Sequence, residues 1–147
     1  MAAWTIPALP HAAAATLKVS SHRDSGKDTL RAAIETANVE PGSSIEIALG
    51  ANSEIVVLSA LPALTARGTR LAGGGVTLRE GKGCRRPGGH RGCDGIVVAA
   101  PDVVVRDLSI VGFTFDGVSV LGPDSADVRI ERVDAIDIPV ASAASGG

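Results

Sequence analysis

The stretch that decides the fold is "DGIVVAAPDVVVRDLSIVGFTFDGVSVLGPDSADVRIERVDA", Asp94 to Ala135. Within it, "DGIVV" at 94–98 recurs as "DGVSV" at 116–120, an offset of 22. "VVVRDLSI" at 103–110 recurs more loosely as "VRIERVDA" at 128–135, an offset of 25. Two different strand-like segments thus repeat in the same order at nearly the same spacing. That is the mark of a chain that coils, one turn per repeat. A β-sandwich also has short strands and punctuating glycines, but its Asp-Gly pairs sit between adjacent strands as hairpin turns. Here they lie a full repeat apart. No helical pattern of about 10–15 residues separates the segments, so crossovers through helices are excluded. The expected fold class is an all-β solenoid, a parallel β-helix.

In such a coil each strand bonds to its equivalent one turn away, and like side chains stack inward. The expected stacks contain Ile96, Val98, Val104, Leu108, Ile110, Val118, Val120, Ile130 and Val133. Arg106, Asp107, Arg129, Glu131 and Arg132 are expected outside as a solvated face. Upstream, strands are expected at 16–20, 45–47, 55–58, 69–71 and 76–78. The glycines of "LAGGGVTL" (71–78) make a tight corner. They do not make a phosphate loop, because no lysine and hydroxyl pair follows.

One segment has the other period. In "DSGKDTLRAAIETANVEPG" (24–42), Leu30, Ala33, Ile34 and Ala37 recur at helical spacing. Arg31, Glu35 and Thr36 fall off that stripe. A helix over about 29–38 is expected, with Asp28 as N-cap and "EPG" after Asn38 preventing its continuation. So short a helix is marginal alone and must lie on something apolar.

Composition narrows the partners. The chain has 147 residues, a formal charge of -2 and three aromatic residues, Trp4, Phe113 and Phe115. Neither the charge nor the aromatic content suits a nucleic-acid partner. No apolar run reaches the 18 or so residues of a spanning helix, so no transmembrane segment is expected. The first residues, "MAAWTIPALPHAAAATLKV", are apolar with small residues before Thr16, as at the end of an export signal. They lack a basic beginning, and Pro7, Pro10 and His11 interrupt them, so residues 1–15 are either a signal-like segment or a disordered arm.

Cys84 and Cys93 enclose "RRPGGHRG". In an exported protein they would close a disulfide worth roughly 2–3 kcal/mol; in the cytosol they would stay free. With one histidine nearby they are too few for a structural zinc site.

The segments "DSGKDTLRAAIETANVEPGSSIEI", "SALPAL", "LAGGGVTL" and "DGIVV…VVVRDLSIVGF…DGVSV" together resemble the start of a right-handed parallel β-helix of the pectate-lyase-like superfamily. They are similar above all to its secreted or surface-attached bacterial repeat proteins. The likeness runs from Leu17 to Ala135. It implies that the helix caps the N-terminal end of the coil, with Asp28, Leu30, Ile34 and Ala37 as the capping residues. It divides the chain into the arm at 1–15, a strand and capping helix at 16–44, coil turns at 45–138 and a flexible tail at 139–147. Domains of that superfamily run longer, so a front portion or a truncated product is expected. Its uncapped C-terminal end would favour end-to-end self-association.

The superfamily holds lyases, hydrolases and adhesins, so the resemblance does not choose a function. Lyases of this kind use carboxylate-held calcium with an arginine base, and hydrolases use clustered aspartates. The acids available are Asp94, Asp102, Asp107, Asp116, Asp124, Asp127, Asp134 and Asp137. Asp94 and Asp116 would stack one turn apart, where they could hold calcium, the only cofactor the pattern admits, or act as the paired carboxylates of a retaining glycosidase. Each also precedes a glycine, as a corner residue bonding its own backbone does. From Arg79 to Cys93 there are five basic residues and one acid. Arg85, Arg86, His90 and Arg91 are therefore the binding candidates, suited to an acidic polysaccharide or surface glycan. No catalytic residue is assigned. The expected function is a non-catalytic structural or carbohydrate-contact role, secreted or at the cell surface. The alternative is the N-terminal part of a polysaccharide lyase or glycoside hydrolase acting on acidic polysaccharide, with its catalytic residues on turns absent here.

Overall fold

The computed structural model describes residues 14–123 and 125–138. The arm at 1–15, except for its last two residues, the tail at 139–147 and Asp124 lie outside the described residues. In chain order the elements are β1 (Thr16–Val19), α1 (Leu30–Ala37), β2 (Ser44–Ile47), β3 (Glu54–Val57), β4 (Arg70–Glu80), β5 (Ile96–Val98), β6 (Val104–Val111), β7 (Val118–Val120) and β8 (Arg129–Ile136). Every pairing between these strands is parallel. The main sheet runs β1-β2-β4-β6-β8 with β3 also on β4, and β5 pairs with β7 in a second sheet. This is a parallel β-solenoid with one helix set before its turns.

The two sequence offsets reappear as strand register. Ile96 pairs with Val118, and Val105 with Ile130. Stacking like on like gives columns through the core, such as Leu17–Ile45–Leu71–Val105–Ile130. Ile45, Leu71 and Val105 in that column are fully buried. Each such side chain contributes about 1.5–3 kcal/mol through its removal from water.

One expectation about the stacks is corrected. Val104 does not point inward: it is half-buried and lies between Arg70 and Arg129 on the outer row, while Val103 and Val105 are buried. Strict alternation back from Leu108 chooses the wrong valine because Asp107 takes φ +58°. That turn leaves Arg106 and Asp107 both outside. Val120 and Ile130 do stack, on Val98 and Val105, but are 47% and 42% exposed because no strand among the described residues covers the last described turn.

The corner that leads into the main sheet is itself a stack. Gly42, Gly68, Asp102 and Asp127 each stand two residues before a sheet strand, and all have φ between +58° and +80°. Only glycine adopts this left-handed conformation freely, with Asp and Asn the next most tolerant. The first three donate their N–H to the following turn: Gly42 to the Arg67 carbonyl, Gly68 to that of Pro101, Asp102 to that of Ala126. A further correction concerns 69–78. From Arg70 on it is not two strands around a corner but part of one strand, β4, which bends where Gly73, Gly74 and Gly75 oppose the single residue Asp107.

Helix α1 buries Leu30, Ala33, Ile34 and Ala37 against β1 and β2. Its N-cap is Thr29, not Asp28: the Thr29 Oγ1 accepts the Ala32 N–H at 3.2 Å. Asp28 instead turns the chain at φ +62°, which leaves its carbonyl to accept the Ser20 and Ser21 N–H groups. Off the apolar stripe, Arg31 is no free surface charge. Its guanidinium donates to the Ala60 and Ser59 carbonyls at 2.7 Å each and to Asp24 Oδ1 at 3.0 Å.

Candidate functional site

The basic segment after β4 leaves the coil as a loop whose ends are joined by the Cys84–Cys93 disulfide, with Cα atoms 5.9 Å apart. Both cysteines are buried. Glu80, the last residue of β4, organises what lies beneath. Its Oε1 accepts the Cys93 N–H at 2.6 Å and the Thr114 N–H at 3.0 Å, and its Oε2 accepts the Thr114 hydroxyl at 2.7 Å. One carboxylate thereby ties β4, the end of the loop and the next turn together. Bonds of this charged kind are roughly twice as strong as neutral ones.

The loop carries the four binding candidates to different places. Arg85 and Arg91 sit on facing backbone segments joined by a β-bridge. They flank a recess of about 330 Å³ whose remaining walls are Glu80, Gly83, Cys84, Gly92 and Thr114. Both arginines are exposed, and the Arg85 guanidinium donates to the Gly89 carbonyl at 2.9 Å. Among the described residues no carboxylate lies within ion-pair distance of either. Arg86 turns away. It bonds Asp94 Oδ2 at 2.9 Å, and its guanidinium lies 3.9 Å from the centre of the Phe115 ring. His90 is exposed, and its carbonyl accepts the Arg86 N–H. The structure thus joins Arg85 with Arg91, and Arg86 with Asp94, rather than clustering all four.

Asp94 and Asp116, the candidate metal pair, do lie one turn apart. Asp94 Oδ1 accepts the Asp116 backbone N–H at 2.9 Å while Oδ2 holds Arg86. Both Asp94 oxygens are therefore engaged within the chain. Among the described residues, no three of His, Cys, Asp and Glu converge as ligands around a point. The Arg86–Asp94 pair also lines a second groove, of about 360 Å³, whose other walls are largely apolar: Ala60, Leu61, Pro62, Ala63, Pro87, Val97 and Leu121.

Glu80, Thr114 and Phe115 were not legible as site residues. Their partners come from neighbouring turns and follow no sequence spacing; the only hint was a lone acid in a basic stretch. On the outer face of the main sheet, Arg132 grips Asp107 across one turn at 2.6 and 3.2 Å. The hydrogen bond from Arg132 holds the Asp107 carboxyl below the usual carboxylate range, and the charges of Arg132 and Arg106 add to it against partial desolvation.

Fold and site together define a parallel β-solenoid with a disulfide-closed basic loop on one side. No family model, curated protein or solved structure matches the chain. Among the described residues no helix is long and apolar enough to cross a membrane.

Proposed function

We propose that the chain is a secreted or cell-surface β-helix of the pectate-lyase-like kind, and that its cysteine loop contacts an acidic glycan without cleaving it. The observation that carries this is the pair of exposed guanidiniums, Arg85 and Arg91, beside one recess with no carboxylate paired to either. Two such groups suit the carboxylate of a uronic acid or a sulfate ester, which arginine can bind through two parallel bonds. A buried disulfide fits an oxidising compartment, in keeping with export. The nearby carboxylates of Glu80 and Asp94 are held by Cys93, Thr114, Arg86 and the Asp116 amide, so they serve the scaffold rather than a sugar.

The test is retention on immobilised polygalacturonate beside a neutral glucan, with the soluble fraction analysed for products. Salt-sensitive retention on the acidic polymer alone, with no product, is expected. Equal retention on both polymers, or on neither, overturns the glycan assignment. Release of unsaturated or new reducing ends replaces it with a lyase or hydrolase.

A further inference from the structure

The main sheet presents an edge whose side-chain pattern is its own complement. β8 bonds to β6 on one side, and among the described residues no strand pairs with its other side. Of the six large apolar side chains that stand exposed among the described residues, Ile130 and Ile136 lie on β8, and Val120 and Leu121 on or next to β7. Among the described residues the open face of the last described turn is thus both unpaired and apolar. Strand edges of this kind invite another strand.

The order of residues says which strand. Ile130 stacks on Val105, Val133 on Leu108 and Ala135 on Ile110, so these face the core, and Val128 packs against it too. Arg129, Glu131, Arg132 and Asp134 face outward. Arg132 adopts φ +49°, which sets two outward residues side by side in the middle of the strand. The in-out pattern therefore reads the same in both directions about the midpoint of Glu131 and Arg132. Laid antiparallel against itself about that midpoint, the strand sets Arg129 on Asp134, Glu131 on Arg132, Ile130 on Val133 and Val128 on Ala135. Every charge meets its opposite and every apolar group meets another. Moreover, Arg129 and Asp134 have no ion-pair partner within the chain among the described residues, and this register supplies one for each.

We infer that two copies of this chain associate through β8, head to head about a two-fold axis. The contact is isologous: each Arg129 meets the other copy's Asp134, so each pair occurs twice. A head-to-tail array is the rival. Placing β1 on β8 in the parallel register of the coil would set Leu17 on Ile130 and Lys18 on Glu131, but it sets Thr16 on Arg129 and leaves both Arg129 and Asp134 without a charged partner, and such a contact repeats without closing. This inference stands apart from the glycan assignment and uses none of its residues.

Sedimentation of the full chain over a range of concentrations tests it, with the single variants Arg129→Glu and Asp134→Arg. Each replaces two attractive pairs by two repulsive ones, so the dimer should weaken by about tenfold or more. Both positions are exposed, and a far-ultraviolet circular dichroism spectrum equal to the parent's verifies that folding is intact. In an equimolar mixture, a mixed dimer sets the introduced carboxylate of one variant opposite the introduced guanidinium of the other. Its second pair is the unaltered Arg129 and Asp134, so the mixture should regain the parental affinity. A chain that stays monomeric at high-micromolar concentration overturns the inference. So does open-ended growth, variants that dimerise as well as the parent, or a mixture that fails to recover.

Discussion

Asp94 and Asp116 are bonded across one turn of the coil: Oδ1 of the first accepts the backbone N–H of the second at 2.9 Å. The "DG" motif is thereby a fastener between turns. Its glycine serves the same contact by close approach. A Cβ on Gly95 would collide with the Gly117 carbonyl oxygen and stand 2.7 Å from Ile110 Cγ2.

Gly95→Ala should therefore destabilise the coil by about 1–3 kcal/mol, the usual cost of overpacking a tight site. Asp94→Asn should cost about 1–3 kcal/mol, because it keeps the acceptor for Asp116 but loses the charged bond to Arg86. Urea denaturation of the oxidised protein reads both.

Arg31 holds the helix to the turn beneath it through the Ser59 and Ala60 carbonyls and Asp24. Lysine cannot reproduce this fork of donors. Arg31→Lys should lower stability by about 1–3 kcal/mol in the same denaturation experiment. Loss comparable to a neutral surface exchange would show that the clamp is idle.

The cap is assigned to Thr29, which is buried and bonds both Ala32 and the Gly26 carbonyl. Thr29→Ala should cost about 1–2 kcal/mol. Asp28→Gly should be neutral or slightly stabilising, since Asp28 occupies a left-handed backbone. The reverse order of effects would restore Asp28 as the cap.

These cases show what the sequence made legible. The recurrence of "DG" and of the valine-rich segments gave the coil and its register, because parallel stacking repeats whatever order the chain has. The helix was visible through its apolar stripe. Val104 and the single strand through Gly73–Gly75 were not, since a left-handed residue at Asp107 and a three-residue bend break the alternation from which facing is counted. The Glu80–Thr114 and Arg31–Ser59 bonds were equally hidden. They join residues 34 and 28 positions apart through side-chain reach, which leaves no pattern in the order of residues.

Asp107 provides a pH signature. Its folded carboxyl titrates below the usual range because Arg132 bonds the ionised form. A lowered folded value means that any stability from the pair is present above the unfolded carboxylate pKa and is lost as pH falls through the folded one. Stability around neutral pH should be indifferent to it. Carboxyl NMR titration should find Asp107 low in the parent and returned toward the ordinary range in Arg132→Gln.

Reducing the disulfide should lower stability by roughly 2–3 kcal/mol, as expected for so short a loop. It should also loosen the facing of Arg85 and Arg91, because the Cys84–Cys93 link closes the segment that carries both. Glycan retention should therefore fall on reduction while the circular dichroism of the coil persists. Retention that is indifferent to reduction would place the contact elsewhere on the surface.

The most direct test is calorimetric titration of the oxidised chain with a defined oligogalacturonate, beside the Arg85→Ala/Arg91→Ala double variant. The parent should saturate without generating new ends. The double variant should melt like the parent, since both side chains are exposed, and should bind about tenfold or more weakly. Equal binding by the two proteins, or cleavage of the oligomer by either, would contradict the account.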